Sequence, residues 1–489
     1  MSLKKNVVYN TILTVSNVAF PIVTTPYVSR ILGVENIGIV NFAVTYASYF
    51  ALFVALGIPM YGMREIAKQN NNPEGRNQVF SELFVINVLS AIIFSTVYLV
   101  TIFSVPTLSH DREFLLITGI SVLFVPFNVD WFFSGREKFK LVTLRTLAAK
   151  VIAVGGLFIF VRTREDIIPY LILTVAANLS SQIWNFGYML KTEVKFRLKH
   201  LQIKKHLNAV LVLFASNIAI SVYTMLSTLI LGFMSDYTQV GYYTSANKIS
   251  RIITIVVTSI SPVMIARINT IKGKKDNQSE ILQLLNNSFG YMMMLAVPAT
   301  IGLIVVAPRF VPLFFGVEFI PATVSLQLLS LLIVIIGLSN LFGIQVLVAM
   351  GHEKKLLIAV LFGAVSNFCL NVLLAGKYGS VGASVASIIT ETMVTTVTFI
   401  FALKITPIHI KIGNIFQPIL ASLPIIKVSL FANHVIEDKL IYLSITIVIS
   451  GILYSIIMIF VFKNEQAIQI AHSIATQIKK YTNNKLCLI

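Results

Sequence analysis

Charge is what this sequence has least of. Only 12% of its 489 residues are Asp, Glu, Lys or Arg, where a soluble globular chain carries about 25%. Hydrophobic residues make up 56%, and the mean hydropathy is +0.84. This composition excludes a soluble protein and defines an all-α integral membrane one, because helices satisfy their own backbone groups in lipid. Cysteine is almost absent. Cys369 lies in an apolar run and Cys487 near the C-terminus, so neither a disulfide framework nor a thiolate–metal site is expected. No GxxxxGK[ST] motif occurs, which argues against direct ATP use. Long polar loops are missing as well. The first apolar run, from Val7, is too long for a signal-peptide core and lacks a small-residue cleavage site, so it reads as a retained first helix.

What is present is a succession of apolar windows, each of about 20 residues, the length that spans a bilayer. Fourteen can be counted: 7–29, 37–58, 80–104, 114–134, 143–161, 167–190, 209–233, 240–265, 285–307, 322–350, 356–375, 381–403, 414–432 and 440–462. Connections are short, as in GREKFKLV (135–142) between the fourth and fifth. With the N-terminus inside, 27 Lys and Arg fall in cytoplasmic segments and 7 in external loops. The positive-inside rule therefore places both termini in the cytoplasm. The same bias accounts for the net charge of +18. Nucleic-acid binding would need a basic domain or stripe. The densest basic run, KFRLKHLQIKKH at 195–206, is expected to rest on anionic lipid headgroups.

The chain also repeats itself. Ser16-Asn17 and ILG at 31–33 have counterparts in Ser216-Asn217 and ILG at 230–232. Gly38, Pro59 and Arg64 recur as Gly241, Pro262 and Arg267, and GREK (135–138) as GHEK (351–354). The copies begin six helices apart, so both enter the membrane in the same direction. Parallel repeats of this kind place a transport path at their interface. The expected organisation is a six-helix bundle over 1–190, a basic cytoplasmic linker over 191–208 and a second six-helix bundle over 209–403. Two further helices over 404–462 and a cytoplasmic tail over 463–489 complete it.

Polar residues recur at helical spacing on the first helix (Asn10, Thr14, Asn17, Pro21, Thr24) and the seventh (Asn217, Ser221, Thr224, Thr228). The second (Asn41, Thr45, Ser48) and the eighth (Asn247, Arg251, Thr254, Thr258, Ser261) show the same pattern. One reading is interhelical glue; the other, favoured by the equivalence of the four helices, is a shared water-filled cavity. Within the eighth helix Lys248 and Arg251 sit one turn apart among isoleucines and valines. Each costs roughly 2.5–3.5 kcal/mol to insert on translocon scales. A structural pair with the intramembrane Glu391 is the alternative explanation, since Asp130 has Arg136 and Lys138 beside it in sequence. Lys248 and Arg251 align with Thr45 and Ser48, so the fold does not require them. A cavity with surplus positive charge suits an anion, and guanidinium suits phosphate.

PYVSRILGVENIGIVNFAVTYASYF (26–50) and DWFFSGREKF (130–139) carry a resemblance to the polysaccharide-repeat-unit (Wzx-type) flippases. These belong to the multidrug/oligosaccharidyl-lipid/polysaccharide exporter superfamily. Ser134 stands where family members usually have Gln. The resemblance implies movement of an undecaprenyl-pyrophosphate-linked oligosaccharide from the inner to the outer leaflet of a bacterial cytoplasmic membrane, for O-antigen, capsule or exopolysaccharide assembly. It implies no enzymatic activity and no cofactor. An ion gradient or the membrane potential would drive transport, and a polymerase and a chain-length regulator would act as neighbours in the pathway. The pyrophosphate is then the anion for Lys248 and Arg251. Arg30 would help receive or release the headgroup, unless it is a snorkelling interfacial arginine. Asn17, Asn217 and Lys150 would line the path, and Glu391 is the candidate for proton or sodium coupling. A drug/cation antiporter of the same superfamily is the alternative, but it should show surplus acid. A membrane glycan polymerase or ligase should carry a long external catalytic loop.

Overall fold

The computed structural model describes residues 3–197, 199, 201–272, 278–407, 411–469, 471–472 and 475–476. Among them every regular element is helical. In chain order these are α1 (Leu3–Ala55), α2 (Ile58–Lys68), α3 (Pro73–Ser104), α4 (Arg112–Leu123), α5 (Asp130–Gly135), α6 (Phe139–Phe160), α7 (Ile167–Thr192) and α8 (Ile203–Met234). They continue with α9 (Tyr237–Thr258), α10 (Ser261–Lys272), α11 (Gln278–Phe314), α12 (Ala322–Ser330), α13 (Leu332–Ser339), α14 (Glu353–Leu403), α15 (Gly413–Val435) and α16 (Lys439–Ile456).

Among the described residues, ten helical segments are long and apolar enough to cross a membrane, or eleven if Arg112–Leu123 and Val125–Gly135, bent by 41°, form one span. Two of these segments each hold a pair of the fourteen windows, so the number of segments does not contradict the number of windows. Thr11–Lys68 covers all but the first four residues of the first window and the whole of the second, and Glu353–Leu403 contains those at 356–375 and 381–403. In each, two helices meet at a glycine kink with no loop between them. Gly33 (φ 77°, ψ 174°) turns the chain inside α1, and Gly379 (φ 55°, ψ −134°) does so inside α14. Positive φ of this kind costs glycine little, because it has no Cβ to clash.

The repeat appears as matched helix breaks. α1 ends at Ala55 and α2 starts at Ile58; 203 residues later α9 ends at Thr258 and α10 starts at Ser261. The same offset relates Gly38 to Gly241. A Cβ on Gly38 would lie 1.7 Å from the carbonyl oxygen of Tyr237, and one on Gly241 would lie 2.3 Å from that of Val34. Val34 and Tyr237 are themselves 203 apart. Asn41 Nδ2 donates to Thr244 Oγ1 at 2.9 Å, again at the repeat offset. The two copies therefore meet reciprocally here, as a local two-fold relation requires.

The chain divides into two compact units. One comprises Met1–Thr244 with Phe368–Ser380, and the other Ser245–Asn367 with Val381–Ile489. In the first unit, the DWFF segment is core: Trp131, Phe132 and Phe133 are buried with Ile58, Ile66, Phe80 and Leu83 of α2 and α3. In the second, α11 packs against α15 and α15 against α16. Buried Ser261 at the start of α10 accepts from Gln345 Nε2 at 2.8 Å and donates to Asn340 Oδ1, and Ser288 Oγ donates to Gln345 Oε1 at 2.6 Å. The lower end of the eighth-helix polar stripe is thus interhelical glue.

Candidate functional site

Two candidate residues of the first unit come together. Lys150, in the middle of the apolar α6, donates from Nζ to Asn17 Oδ1 on α1, and the ammonium lies 5.5 Å from the Phe20 ring centre. A lysine in an apolar helix must find an acceptor or reach water, and the polar stripe of α1 supplies one. Asn17 and Thr14 of that stripe are exposed. Thr24 instead bonds back to the Phe20 carbonyl. Arg30 is exposed just before the bend at Gly33, about 20 Å along the helix from Asn17 at 1.5 Å per residue, so it does not join the Lys150 pair. Asn217 lies on helical backbone in α8; its side chain lies outside the described residues.

The second unit holds Lys248, Arg251 and Glu391. Lys248 and Arg251 are half-buried on α9, while Glu391 is buried in the second half of α14. Within this unit and among the described residues Arg251 forms no ion pair, so the alternative of a pair with Glu391 is not realised at Arg251. α9 is anchored on its other side, where buried Ser250 donates to the Leu329 carbonyl at 2.6 Å. Thr254 and Thr258 bond back to the carbonyls of Ser250 and Thr254.

Asp130 corrects a sequence expectation. Arg136 and Lys138 do not serve it. Asp130 Oδ1 accepts from Asn185 Nδ2 at 2.8 Å, and Arg145, stacked 3.9 Å over Tyr188, approaches Asn185 Oδ1 at 3.4 Å. The GREK cations turn instead to Glu193 at the end of α7. Helix α5 ends at Gly135 and Glu137 takes a left-handed conformation (φ 54°), which directs the following side chains away from Asp130.

Other features carry no signal in the sequence. In the first unit His206 and Glu82 are buried together, with His206 Nε2 2.6 Å from Glu82 Oε2 and Tyr61 Oη 2.8 Å from His206 Nδ1. Glu82 Oε1 also accepts from Gln78 Nε2 and from the Gln202 backbone N–H, each at 2.7 Å. The partners come from three separate stretches of chain, at 61, 78–82 and 202–206, and no spacing announces them. In the second unit a cavity of about 760 Å³ opens between α9, α11, α15 and α16, walled by residues such as Ile253, Leu303, Ile425, Ile447 and Met458. Such a wall suits hydrocarbon and offers little to a sugar or an ion.

A polytopic helical bundle with cations set into its apolar helices belongs to the class of membrane transport folds. The chain is a member of the Polysaccharide biosynthesis protein family, which it matches over residues 3–270. It is 26% identical over 419 residues to the "Putative O-antigen transporter" of Escherichia coli (strain K12), covering 82% of this chain and 97% of that protein. A 170-residue stretch, 34% of each chain, is 25% identical to the "Probable low-salt glycan biosynthesis flippase Agl15" of Haloferax volcanii. Among solved structures it is similar to the lipid II flippase MurJ in an inward closed conformation (TM-score 0.66, 18% identity, 88% of this chain and 97% of that one). An inward-facing multidrug resistance MATE family transporter of the MOP superfamily is also similar (TM-score 0.62, 15% identity, 82% and 97%). The fold is that of this exporter superfamily.

Proposed function

We propose that this protein is a flippase that carries a lipid-linked oligosaccharide across the membrane by alternating access, for surface polysaccharide assembly. Family membership and the names of its relatives support the class of cargo. The observation that carries the mechanism is Arg251, a half-buried guanidinium on an apolar helix with no ion pair in its own unit among the described residues. A charge held there is unfavourable unless an anion visits it, and the undecaprenyl pyrophosphate implied by the resemblance is such an anion. Lys248, one turn away, adds a second positive charge. Lys150 with Asn17, Arg30 and Asn217 are assigned to the glycan or headgroup path. The apolar cavity beside α16 suits part of the polyprenyl chain. Glu391 is assigned to ion coupling, with a gradient or the membrane potential as the driving force and no cofactor. The setting is a bacterial cytoplasmic membrane with both termini inside, next to the polymerase and chain-length regulator of the pathway. A cation antiporter is disfavoured, because its cargo would be repelled by Lys248 and Arg251.

The test is export of lipid-linked glycan in cells carrying Arg251 variants at matched expression. Arg251→Ala should abolish export and accumulate the lipid-linked precursor. Arg251→Lys should keep part of the activity, because the charge survives and the bidentate fork does not. Arg251→Glu should be worse than alanine. Normal transport by Arg251→Ala at normal expression would remove the anion-site reading.

A further inference from the structure

The first unit contains a further cationic centre that no part of the proposed transport path uses. Arg76 lies in the first turn of α3 and Arg136 and Lys138 in the break between α5 and α6. All three converge on Glu193 at the end of α7. Arg76 Nη2 donates to the Glu193 backbone carbonyl at 3.1 Å, Lys138 Nζ donates to Glu193 Oε1, and Arg136 Nε stands 3.6 Å from Glu193 Oε2. Arg136 Nη1 is taken by Asn70, through both its carbonyl at 2.9 Å and its side-chain oxygen. Glu193 is only 6% exposed and Arg76 9%, while Lys138 is 37% exposed. The centre therefore has a buried floor and one side open to water.

The charges do not balance. Three cations share one carboxylate, and the two guanidinium groups lie close enough to repel each other. Other acids at this end do not make up the deficit. Glu74 is paired with Arg197 at 3.1 Å and Glu65 with Lys68 at 2.8 Å, and Glu137 is exposed and forms no ion pair among the described residues. The Nε–H groups of Arg76 and Arg136 are both buried without an acceptor. A buried donor left without an acceptor is destabilising, and a purely structural clamp has no reason to retain two of them beside an excess charge of two. An oxyanion with one or two negative charges meets both deficits, since its oxygens can accept from several N–H groups at once and guanidinium matches phosphate in geometry.

We propose that Arg76, Arg136 and Lys138 form a binding site for the phosphate group of a membrane lipid. The three residues lie at the ends of apolar helices that begin or stop there, which is the level at which lipid phosphates lie. Glu193 holds the cations in place and competes weakly for them. Two lipids carry this chemistry: an anionic glycerophospholipid of the bilayer and an isoprenyl pyrophosphate. The site stands whether or not the cargo is a glycan, because it rests on the first unit alone.

The experiment uses the full-length protein in nanodiscs of phosphatidylcholine, titrated separately with phosphatidylglycerol and with farnesyl pyrophosphate. Bound lipid is read by native mass spectrometry, and melting temperature is recorded for every variant. At least one of the two lipids should bind, and the combined R136Q/K138Q variant should weaken its Kd tenfold or more. Glu193→Gln should tighten the same Kd severalfold, because it removes the competing carboxylate and leaves the cations. Binding of phosphatidylglycerol assigns the site to bulk lipid, and binding of farnesyl pyrophosphate alone assigns it to the carrier. If the double variant does not purify, Lys138→Gln, whose side chain is partly exposed, should still weaken Kd at least threefold. Failure of both lipids to bind, unchanged Kd values in these variants, or a Glu193→Gln protein that loses both binding and thermal stability would each overturn the proposal and leave a structural clamp.

Discussion

At the scale of single residues, buried polar chemistry in the first unit is concentrated where Glu82 receives three donors. Gln78, the Gln202 backbone and His206 all point at one carboxylate that is 3% exposed. Glu82→Ala removes the acceptor and leaves those donors in a closed space. Breaking a buried pair in this way costs about 3–5 kcal/mol, so the variant should melt well below the parent protein in detergent. Glu74→Ala breaks an exposed pair with Arg197 and should cost about 1 kcal/mol or less. Equal melting temperatures for the two would refute the assigned burial. Residues of this kind were illegible in the sequence, because Glu82 and His206 are 124 positions apart and neither belongs to a pattern. Lys150 and Asn17 were legible for the opposite reason: a polar group in an apolar helix is conspicuous before its partner is known. Asp130 shows the limit of adjacency. Its neighbours in sequence, Arg136 and Lys138, are carried past it by the turn at Gly135–Lys138.

At the scale of elements, the contact between the second half of α1 and the start of α9 is backbone on backbone. It exists because Gly38 and Gly241 lack a Cβ. Alanine at either position would place a carbon 1.7 or 2.3 Å from a carbonyl oxygen, closer than any real contact allows, so these helices would have to separate and the Asn41–Thr244 hydrogen bond would break. Gly38→Ala and Gly241→Ala should each lower folded yield and melting temperature by similar amounts, as their reciprocity requires. Gly155→Ala in α6, where a Cβ meets nothing within 4 Å, should be neutral or stabilising by up to about 1 kcal/mol from helix propensity. Melting curves of the three variants decide the matter, and a harmless Gly38→Ala would contradict the contact. The repeat was legible because glycine, proline and arginine matches are rare enough to align, and the structure places matching helix breaks 203 residues apart. The joints between paired windows were not, since hydropathy cannot tell a loop from a glycine kink such as Gly33 or Gly379. The apolar cavity beside α16 was invisible too, because its walls are the same aliphatic residues that elsewhere face lipid.

At the scale of the whole molecule, orientation in the membrane is the property on which every functional assignment depends. A bias of 27 to 7 in Lys and Arg, carried by short loops, is the distribution that fixes topology during insertion. It predicts Arg76, Arg136, Lys138 and the 195–206 run on the cytoplasmic side, where a lipid-linked precursor made in the cytoplasm would arrive. It predicts Arg30 and the α3–α4 connection outside. Cysteine labelling with a membrane-impermeant maleimide separates the two orientations. Ser109 and Lys199 are both exposed, so accessibility of the side chain is not in question at either position. Ser109→Cys should react in intact cells whose outer barrier admits the reagent. Lys199→Cys should react only after the cytoplasmic membrane is permeabilised. The reverse pattern would place the 195–206 run outside, and both the phosphate site and the direction of transport would then have to be inverted. Labelling of both positions from outside would be more damaging still, since it requires an even number of crossings between them where the windows at 114–134, 143–161 and 167–190 supply three.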